Sequence, residues 1–132
     1  MKTKTIKQTL TFGIAPEKLY DLLLNGKKMS SAQGQLSTVN KRANGKFTVF
    51  NNYCQGYNIE LEPGRKIVQA WHFNEDGWPD DHFSTCTFLL TPTAKGTKLT
   101  FTQTDVPAST YESLNEGWHE YYWEPIQLAI GN

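Results

Sequence analysis

The sequence predicts an α+β fold, in which antiparallel strands pack against one long C-terminal helix and two short helices follow the first strand. Segments of alternating apolar and polar residues, separated by turn signals, fill the middle of the chain, a pattern typical of a sheet with one packed face. The last third instead has apolar residues at three- and four-residue steps, and it contains the aromatic run Trp118 to Trp123. A long helix that closes over a curved sheet is one way to build a pocket.

The N-terminal part of the chain predicts one strand and two short helices. The strand covers residues 5–12, where the apolar residues fall on one side. A helix begins at Pro16, whose missing N–H costs nothing at the first helical position. Its apolar stripe and its stop signal are Leu19, Leu22, Leu23 and Asn25-Gly26. A second short helical turn is predicted over residues 27–31.

The middle of the chain reads as strands and turns. The strands are predicted over residues 46–51, 55–61, 66–73, 83–91 and 97–104. In the second of these, strict alternation predicts that Tyr57, Ile59 and Leu61 face one way. Asn58 and Glu60 then face the other way, which gives the sheet one packed face and one wetter face.

The C-terminal helix has recognisable start and break signals. Ser109 and Glu112, three residues apart, form a capping box, so the helix is predicted to begin near Thr110. Its buried stripe is predicted to contain Tyr111, Leu114, Trp118, Tyr122 and Ile126. Pro125 removes one helical hydrogen bond, so we expect the helix to kink or open near Tyr121.

Composition narrows the class of protein. The 132 residues fit a single domain over residues 1–132, and 13 basic and 13 acidic side chains give no net charge. A nucleic-acid partner is therefore not expected. Membrane insertion is not expected either, because no segment of the sequence is long and apolar enough to span a bilayer. Cys54 and Cys86 lie in predicted strands without metal-site or redox spacing, so we expect reduced core thiols. With no secretory signal recognised at the N-terminus, a cytoplasmic location is expected.

Several motifs carry a resemblance to a known family. They are residues 15–20, Gly45-Lys46-Phe47, residues 62–71, residues 96–99, Val106-Pro107 and residues 117–125. These segments resemble the C-terminal domain of the activator of the heat-shock protein 90 ATPase, within the helix-grip superfamily of START and birch-pollen-allergen domains. The resemblance implies about six or seven strands curved around the last helix. We expect Gly117 to let that helix approach the sheet without a Cβ between them.

The resemblance also implies a function class. It indicates a non-enzymatic binding module, either co-chaperone-like with a chaperone partner or a carrier of a small hydrophobic or aromatic ligand held between helix and sheet. The cavity candidates are Tyr57, Trp71, Phe88, Phe101, Trp118 and Tyr122. Their hydroxyls and indole N–H groups are the expected polar points of a small-molecule site, and the alternative is that the rings simply fill the core.

A turn near the middle of the chain is the second candidate surface. Trp78, Asp80, Asp81 and His82 are the candidate partner contacts, because an indole on a loop can anchor a protein interface. The equal alternative is that Trp78 folds back over the edge of the sheet. A monomer or weak dimer is expected.

Catalytic and metal-binding signals are weak. Asp80-Asp81-His82 lacks metal-ligand spacing, and neither cysteine lies near a histidine in sequence. We therefore predict no catalytic residues, no metal site and no cofactor. A cyclase or hydrolase that uses one carboxylate or histidine in the cavity is the third alternative, and it predicts an inward titratable group with a strongly shifted pKa.

Overall fold

The computed structural model describes residues 2–130, and within them seven strands form one curved antiparallel sheet. The strands are β1 (Thr3–Phe12), β2 (Thr38–Val39), β3 (Lys46–Val49), β4 (Cys54–Glu62), β5 (Lys66–Phe73), β6 (Ser84–Thr93) and β7 (Gly96–Pro107). Their order across the sheet is β1-β7-β6-β5-β4-β3-β2. The predicted α+β class is confirmed, and β2 is a two-residue edge strand that the sequence pattern did not indicate.

Helices cover one face of this sheet. The two short helices after β1 are α1 (Pro16–Leu23) and α2 (Gly26–Gln33), as predicted. The C-terminal helix is continuous but not uniform: a 3₁₀ turn (Ala108–Thr110), α3 (Tyr111–Gly117), a π-helical segment (Trp118–Trp123) and α4 (Glu124–Ala129). No helix among residues 2–130 has the length and apolar character needed to cross a membrane.

The side-chain direction predicted for β4 is wrong at Tyr57. Tyr57 lies on the outer face of the sheet with 41% of its surface exposed, whereas Asn58 is fully buried. The cause is a β-bulge, because the pairing of β4 with β5 shifts register between Asn58 and Glu60. Ile59 is the extra residue, so Asn58 and Leu61 both reach inward-facing register positions, opposite Gln69 and Ile67.

The predicted capping box is also wrong. No side chain of residues 2–130 caps the first turn of α3, and the Thr110 hydroxyl instead donates to the Pro107 carbonyl at 2.9 Å. The chain enters a 3₁₀ turn directly from β7, so Ser109 already lies inside the first helical turn rather than ahead of it.

The opening predicted at Pro125 is confirmed. Because Pro125 has no N–H, the Tyr121 carbonyl lacks its α-helical donor, and the preceding segment adopts i→i+5 bonds, with the Glu124 N–H donating to the His119 carbonyl. This spacing stacks Trp123 on Trp118, with ring centroids 5.6 Å apart and planes 24° apart. Trp118, Tyr122 and Trp123 are therefore all buried against the sheet.

Gly117 is not needed for a close approach of the C-terminal helix to the sheet, contrary to the expectation from the sequence. A Cβ built on Gly117 meets only the Tyr121 ring, at 3.8 Å, so no part of the sheet requires a glycine there.

We expect Gly117→Ala to raise the free energy of unfolding by about 0.5–1 kcal/mol, because alanine loses less backbone entropy in a helix. Urea unfolding measures the change. Gly34→Ala is the control with the opposite sign, since Gly34 has a φ of +70°, and a loss of stability in Gly117→Ala would contradict the prediction.

Candidate functional site

A cleft of about 350 Å³ opens between the C-terminal helix and the inner face of the sheet. Its described lining consists of Gln35, Phe50, Tyr53, Cys54, Trp71, Phe73, Glu75, Ser113, Leu114, Gly117, Trp118, Tyr121 and Tyr122. Seven of these side chains are aromatic, and we call the site the aromatic cleft. Its volume lies at the small end of the range for small-molecule sites.

The structure brings three of the predicted cavity residues together in the aromatic cleft. Trp71 points inward from β5, while Trp118 and Tyr122 come from the π-helical segment. The Trp71 ring meets Trp118 edge-on at 5.0 Å, and Trp118 meets Tyr122 edge-on at 4.9 Å. These are the edge-to-face geometries that aromatic side chains prefer.

The other three predicted cavity residues do not line the aromatic cleft. Phe101 packs against Trp118 with centroids 4.4 Å apart, and Phe88 packs against Phe101, so both fill the core behind the cleft. Tyr57 lies across the sheet, where its ring contacts Phe83 at 5.8 Å. Its orientation was mispredicted because the bulge in β4 breaks the alternation.

The inward indole N–H groups are already satisfied by glutamines. Trp71 donates to Gln69 at 2.9 Å and Trp118 donates to Gln103 at 2.7 Å, and Trp123 donates to Gln8 at 2.7 Å. The expectation that indole N–H groups are polar points of the cavity is therefore wrong for these rings. The hydrogen bonds fix the rings in orientation, since each buried donor needs its partner.

The predicted cavity residues include three of the thirteen described lining residues, and Phe50, Tyr53 and Glu75 are among the ten that they omit. Phe50 begins a turn of three consecutive left-handed residues, with φ values of 54°, 55° and 72° at Phe50, Asn51 and Asn52. Such values are uncommon for a bulky aromatic residue, and strained backbone is concentrated at functional sites. The Phe50 ring contacts Tyr122 edge-on at 6.4 Å. The aromatic residues on either side of Asn51-Asn52 were the only signal in the sequence.

Tyr53 and Glu75 form a hydrogen-bonded pair in the wall of the aromatic cleft. The Tyr53 hydroxyl donates to Glu75 Oε2 at 2.5 Å. Burial raises the pKa of the Tyr53 hydroxyl above its usual range, and the hydrogen bond to Glu75 raises it further. Tyr53 therefore remains a protonated donor to this carboxylate at neutral pH.

The turn around Trp78 folds back onto the sheet. Only 5% of the Trp78 surface is exposed, its ring packs against Phe73 at 4.8 Å, and its N–H donates to the His82 carbonyl at 2.7 Å. The interpretation of Trp78 as an exposed partner anchor is therefore wrong. His82 is half-buried and its Nε2 hydrogen-bonds to the Asp105 carbonyl at 2.6 Å, whereas Asp80 and Asp81 are exposed.

Both cysteines are free thiols in the interior. Burial raises the pKa of Cys54 and of Cys86, and the charge of Glu75 adds to the effect at Cys54. We expect iodoacetamide at pH 8 to leave both thiols unmodified in the folded protein, because the thiolate is the reactive form. Mass spectrometry after alkylation with and without urea measures this, and rapid modification of native Cys54 would contradict it.

Within residues 2–130, no group of three His, Cys, Asp or Glu side chains is arranged to hold a metal ion.

A sheet curved around a C-terminal helix, with an aromatic cleft between the two, defines a START-like helix-grip domain. A family model matches residues 14–130, and the chain belongs to that family, described as Activator of Hsp90 ATPase homolog 1-like protein. The domain class and the family agree with the resemblance read from the sequence motifs.

Relatives from other organisms are consistent with this membership. The Activator of 90 kDa heat shock protein ATPase homolog of Dictyostelium discoideum is 32% identical over 117 residues, which are 88% of this chain and 30% of that protein. Homolog 2 of Mus musculus is 24% identical, over 95% of this chain and 37% of its own length. The chain thus spans about a third of the relatives it matches.

Two solved structures share the fold. PFC0360w, an HSP90 activator from Plasmodium falciparum, superposes with a TM-score of 0.83 at 24% identity, over 99% of this chain and 97% of that one. The Aha1 dimer from Colwellia psychrerythraea gives a TM-score of 0.79 at 15% identity, over 96% of each chain. At these identities, the likeness concerns the fold alone.

Proposed function

We propose that this chain is a non-enzymatic binding module that holds a small hydrophobic or aromatic molecule in the aromatic cleft. The observation that carries the proposal is the cleft itself, about 350 Å³ and lined by seven aromatic side chains. Pockets with mostly apolar walls and a few polar groups are the usual small-molecule sites. The π-helical segment that supplies Trp118 and Tyr122 supports the proposal, because such segments recur at functional sites.

Two hydroxyl and thiol groups of the described lining, Tyr122 and Cys54, are not activated as nucleophiles, which favours binding over catalysis. Cys54 is the thiol in the lining, and its raised pKa keeps it protonated and weakly nucleophilic. Tyr122 has its pKa raised by burial in the same way, so its hydroxyl remains neutral. Neither group is prepared to attack a bound molecule.

A neutral fluorescent probe tests the proposal. N-phenyl-1-naphthylamine gains emission in apolar sites, and we expect it to bind the protein and to be displaced by other apolar aromatics. Ser113→Phe places a bulky ring in the cleft wall and should abolish the signal, whereas Glu112→Phe, on the adjacent exposed residue outside the lining, should leave it intact. No emission gain, or an equal signal in both variants, would overturn the proposal.

A second candidate is a co-chaperone role, and the names of the relatives favour it. The family and the Dictyostelium relative are named as activators of the 90 kDa heat-shock protein ATPase. In this candidate function, a surface containing the exposed Asp80 and Asp81 and the start of the C-terminal helix docks on such a chaperone.

Calorimetry with the purified 90 kDa heat-shock protein of the same host tests the docking surface. Asp80→Lys should weaken binding about tenfold if Asp80 lies in the interface, since like charges brought together oppose association. Glu17→Lys, an equal charge reversal on α1, should have no effect. Undetectable binding by the unchanged protein would reject the co-chaperone role for this chain.

A further inference from the structure

Glu75 is the charged residue among those that line the aromatic cleft. It follows β5 and is half-buried, and its Oε2 accepts the Tyr53 hydroxyl. Its other carboxylate oxygen, Oε1, is shielded from solvent and has no hydrogen-bond partner among residues 2–130. Buried carboxylate oxygens are normally paired, because an unmet hydrogen bond is especially costly for a charged group. Oε1 therefore lacks a donor, and a ligand in the cleft can supply one once rotation of the Glu75 carboxylate turns this oxygen toward it.

No basic side chain compensates this carboxylate within the lining. The lining residues that the structure describes include no lysine, arginine or histidine. The ion pairs found within residues 2–130 lie elsewhere, between Lys41 and Asp21, and around Lys66 and Arg65. The described lining of the aromatic cleft thus contains the negative charge of Glu75 and no basic side chain to balance it.

The aromatic walls favour the same sign of ligand charge. Ring faces carry negative electrostatic potential and attract organic cations, most strongly for tryptophan. The positive N–H edges of Trp71 and Trp118 are taken by Gln69 and Gln103, so they are not available to an anion. An anionic molecule would meet the Glu75 charge without a cation to offset it.

The volume limits the size of the ligand. At roughly 30 Å³ for each water-sized group, a cleft of about 350 Å³ holds about a dozen such groups. This matches a compact molecule of one to three rings better than it matches a long acyl chain.

We infer that the ligand of the aromatic cleft is a small aromatic amine, with its protonated nitrogen against the Glu75 carboxylate and its ring among Trp71, Trp118 and Tyr122. The inference rests on the proposed function of the cleft as a small-molecule site and adds the chemical class of the ligand. Glu75 is the residue that distinguishes an amine from a neutral molecule of the same shape.

Three probes with one ring system and different charge test the inference. Isothermal titration calorimetry at pH 7 compares tryptamine, a cation, with the neutral tryptophol and the anionic indole-3-acetate. We expect tryptamine to bind about tenfold more tightly than tryptophol, and indole-3-acetate to bind most weakly, in line with one charge-assisted hydrogen bond.

A matched pair of variants then separates the local carboxylate from net charge. Glu75→Gln keeps an acceptor for Tyr53 and should remove the preference for tryptamine, leaving tryptophol binding within about twofold. Asp76→Asn removes the same charge from the exposed neighbouring residue, which does not line the cleft, and should change neither affinity.

The outcomes separate this inference from the function on which it rests. Equal binding of tryptamine and tryptophol, or unchanged tryptamine binding in Glu75→Gln, would overturn the inference that the ligand is an amine. In either case, measurable binding of tryptophol would still support the proposal that the cleft binds small molecules. No binding of tryptamine to the unchanged protein also overturns the inference, and the N-phenyl-1-naphthylamine experiment decides independently whether the cleft binds small molecules.

Discussion

Trp118→Ala is expected to lower the free energy of unfolding by about 3–5 kcal/mol, the range found when a buried aromatic ring is replaced by alanine. The Trp118 ring packs against Phe101 at 4.4 Å and against Trp71 at 5.0 Å, and its indole donates to Gln103. The substitution removes these contacts and leaves the buried Gln103 oxygen without a donor. Urea unfolding followed by circular dichroism measures the loss.

The control for this prediction is Tyr121→Ala in the same π-helical segment. Tyr121 is 55% exposed, so its replacement should change the free energy of unfolding by no more than about 0.5 kcal/mol. A change below about 1 kcal/mol in Trp118→Ala would mean that the ring is not part of a close-packed wall.

The second large effect is expected in the middle of the sheet, at Gly56. This residue lies directly opposite Trp71 in the pairing of β4 with β5. A Cβ on Gly56 would lie 1.8 Å from the Ala70 carbonyl oxygen and 2.7 Å from Phe47 Cζ. The backbone carbonyl cannot rotate away as a side chain can, so Gly56→Ala should destabilise the protein by about 3 kcal/mol, at the upper end for overpacking.

Thermal unfolding of Gly56→Ala and of Gly117→Ala tests this prediction, because the two variants carry the same substitution in different environments. The midpoint should fall for Gly56→Ala and rise for Gly117→Ala, because only the first position lacks room for a methyl group. A midpoint for Gly56→Ala within about 2 °C of the unchanged protein would show that β4 can move away from β5 at this point at little cost.

The sheet could be predicted from the sequence because most strands keep a regular inward face. In β7, the buried Leu99 and Phe101 alternate with Thr100 and Thr102, and their positions at the packed face follow from a period of two. The opening of the last helix could also be predicted, because proline has one local effect wherever it stands inside a helix.

The bulge in β4 could not be predicted from the same rule. Strict alternation assumes an unbroken ladder, and nothing in the residue types marks Ile59 as the extra residue. The inward position of Asn58 depends on partners distant in sequence, since it donates to the Asn40 and Arg42 carbonyls and accepts from Gln69. A buried asparagine is favourable only once those partners are in place.

Half of the predicted cavity residues line the aromatic cleft, and two of the lining residues that were missed, Phe50 and Glu75, lie outside the regular strands and helices. Trp71, Trp118 and Tyr122 belong to elements whose periodicity indicates an inward face. Phe50 and Glu75 lie beyond the ends of β3 and β5, where no period exists and the direction of each side chain depends on the tertiary fold. The charged group that gives the cleft its chemical character is therefore a loop residue.

The hydrogen bonds of the tryptophans make each indole N–H a separate spectroscopic reporter. All four are bonded within the protein, and each has a different acceptor environment, with Trp78 donating to a backbone carbonyl on the turn beyond β5. Four resolved indole signals are therefore expected in a nitrogen-15 correlation spectrum. A molecule that enters the aromatic cleft should move the signals of Trp71 and Trp118 most, while Trp78 serves as an internal reference outside the lining, so that occupancy and location are read from one titration.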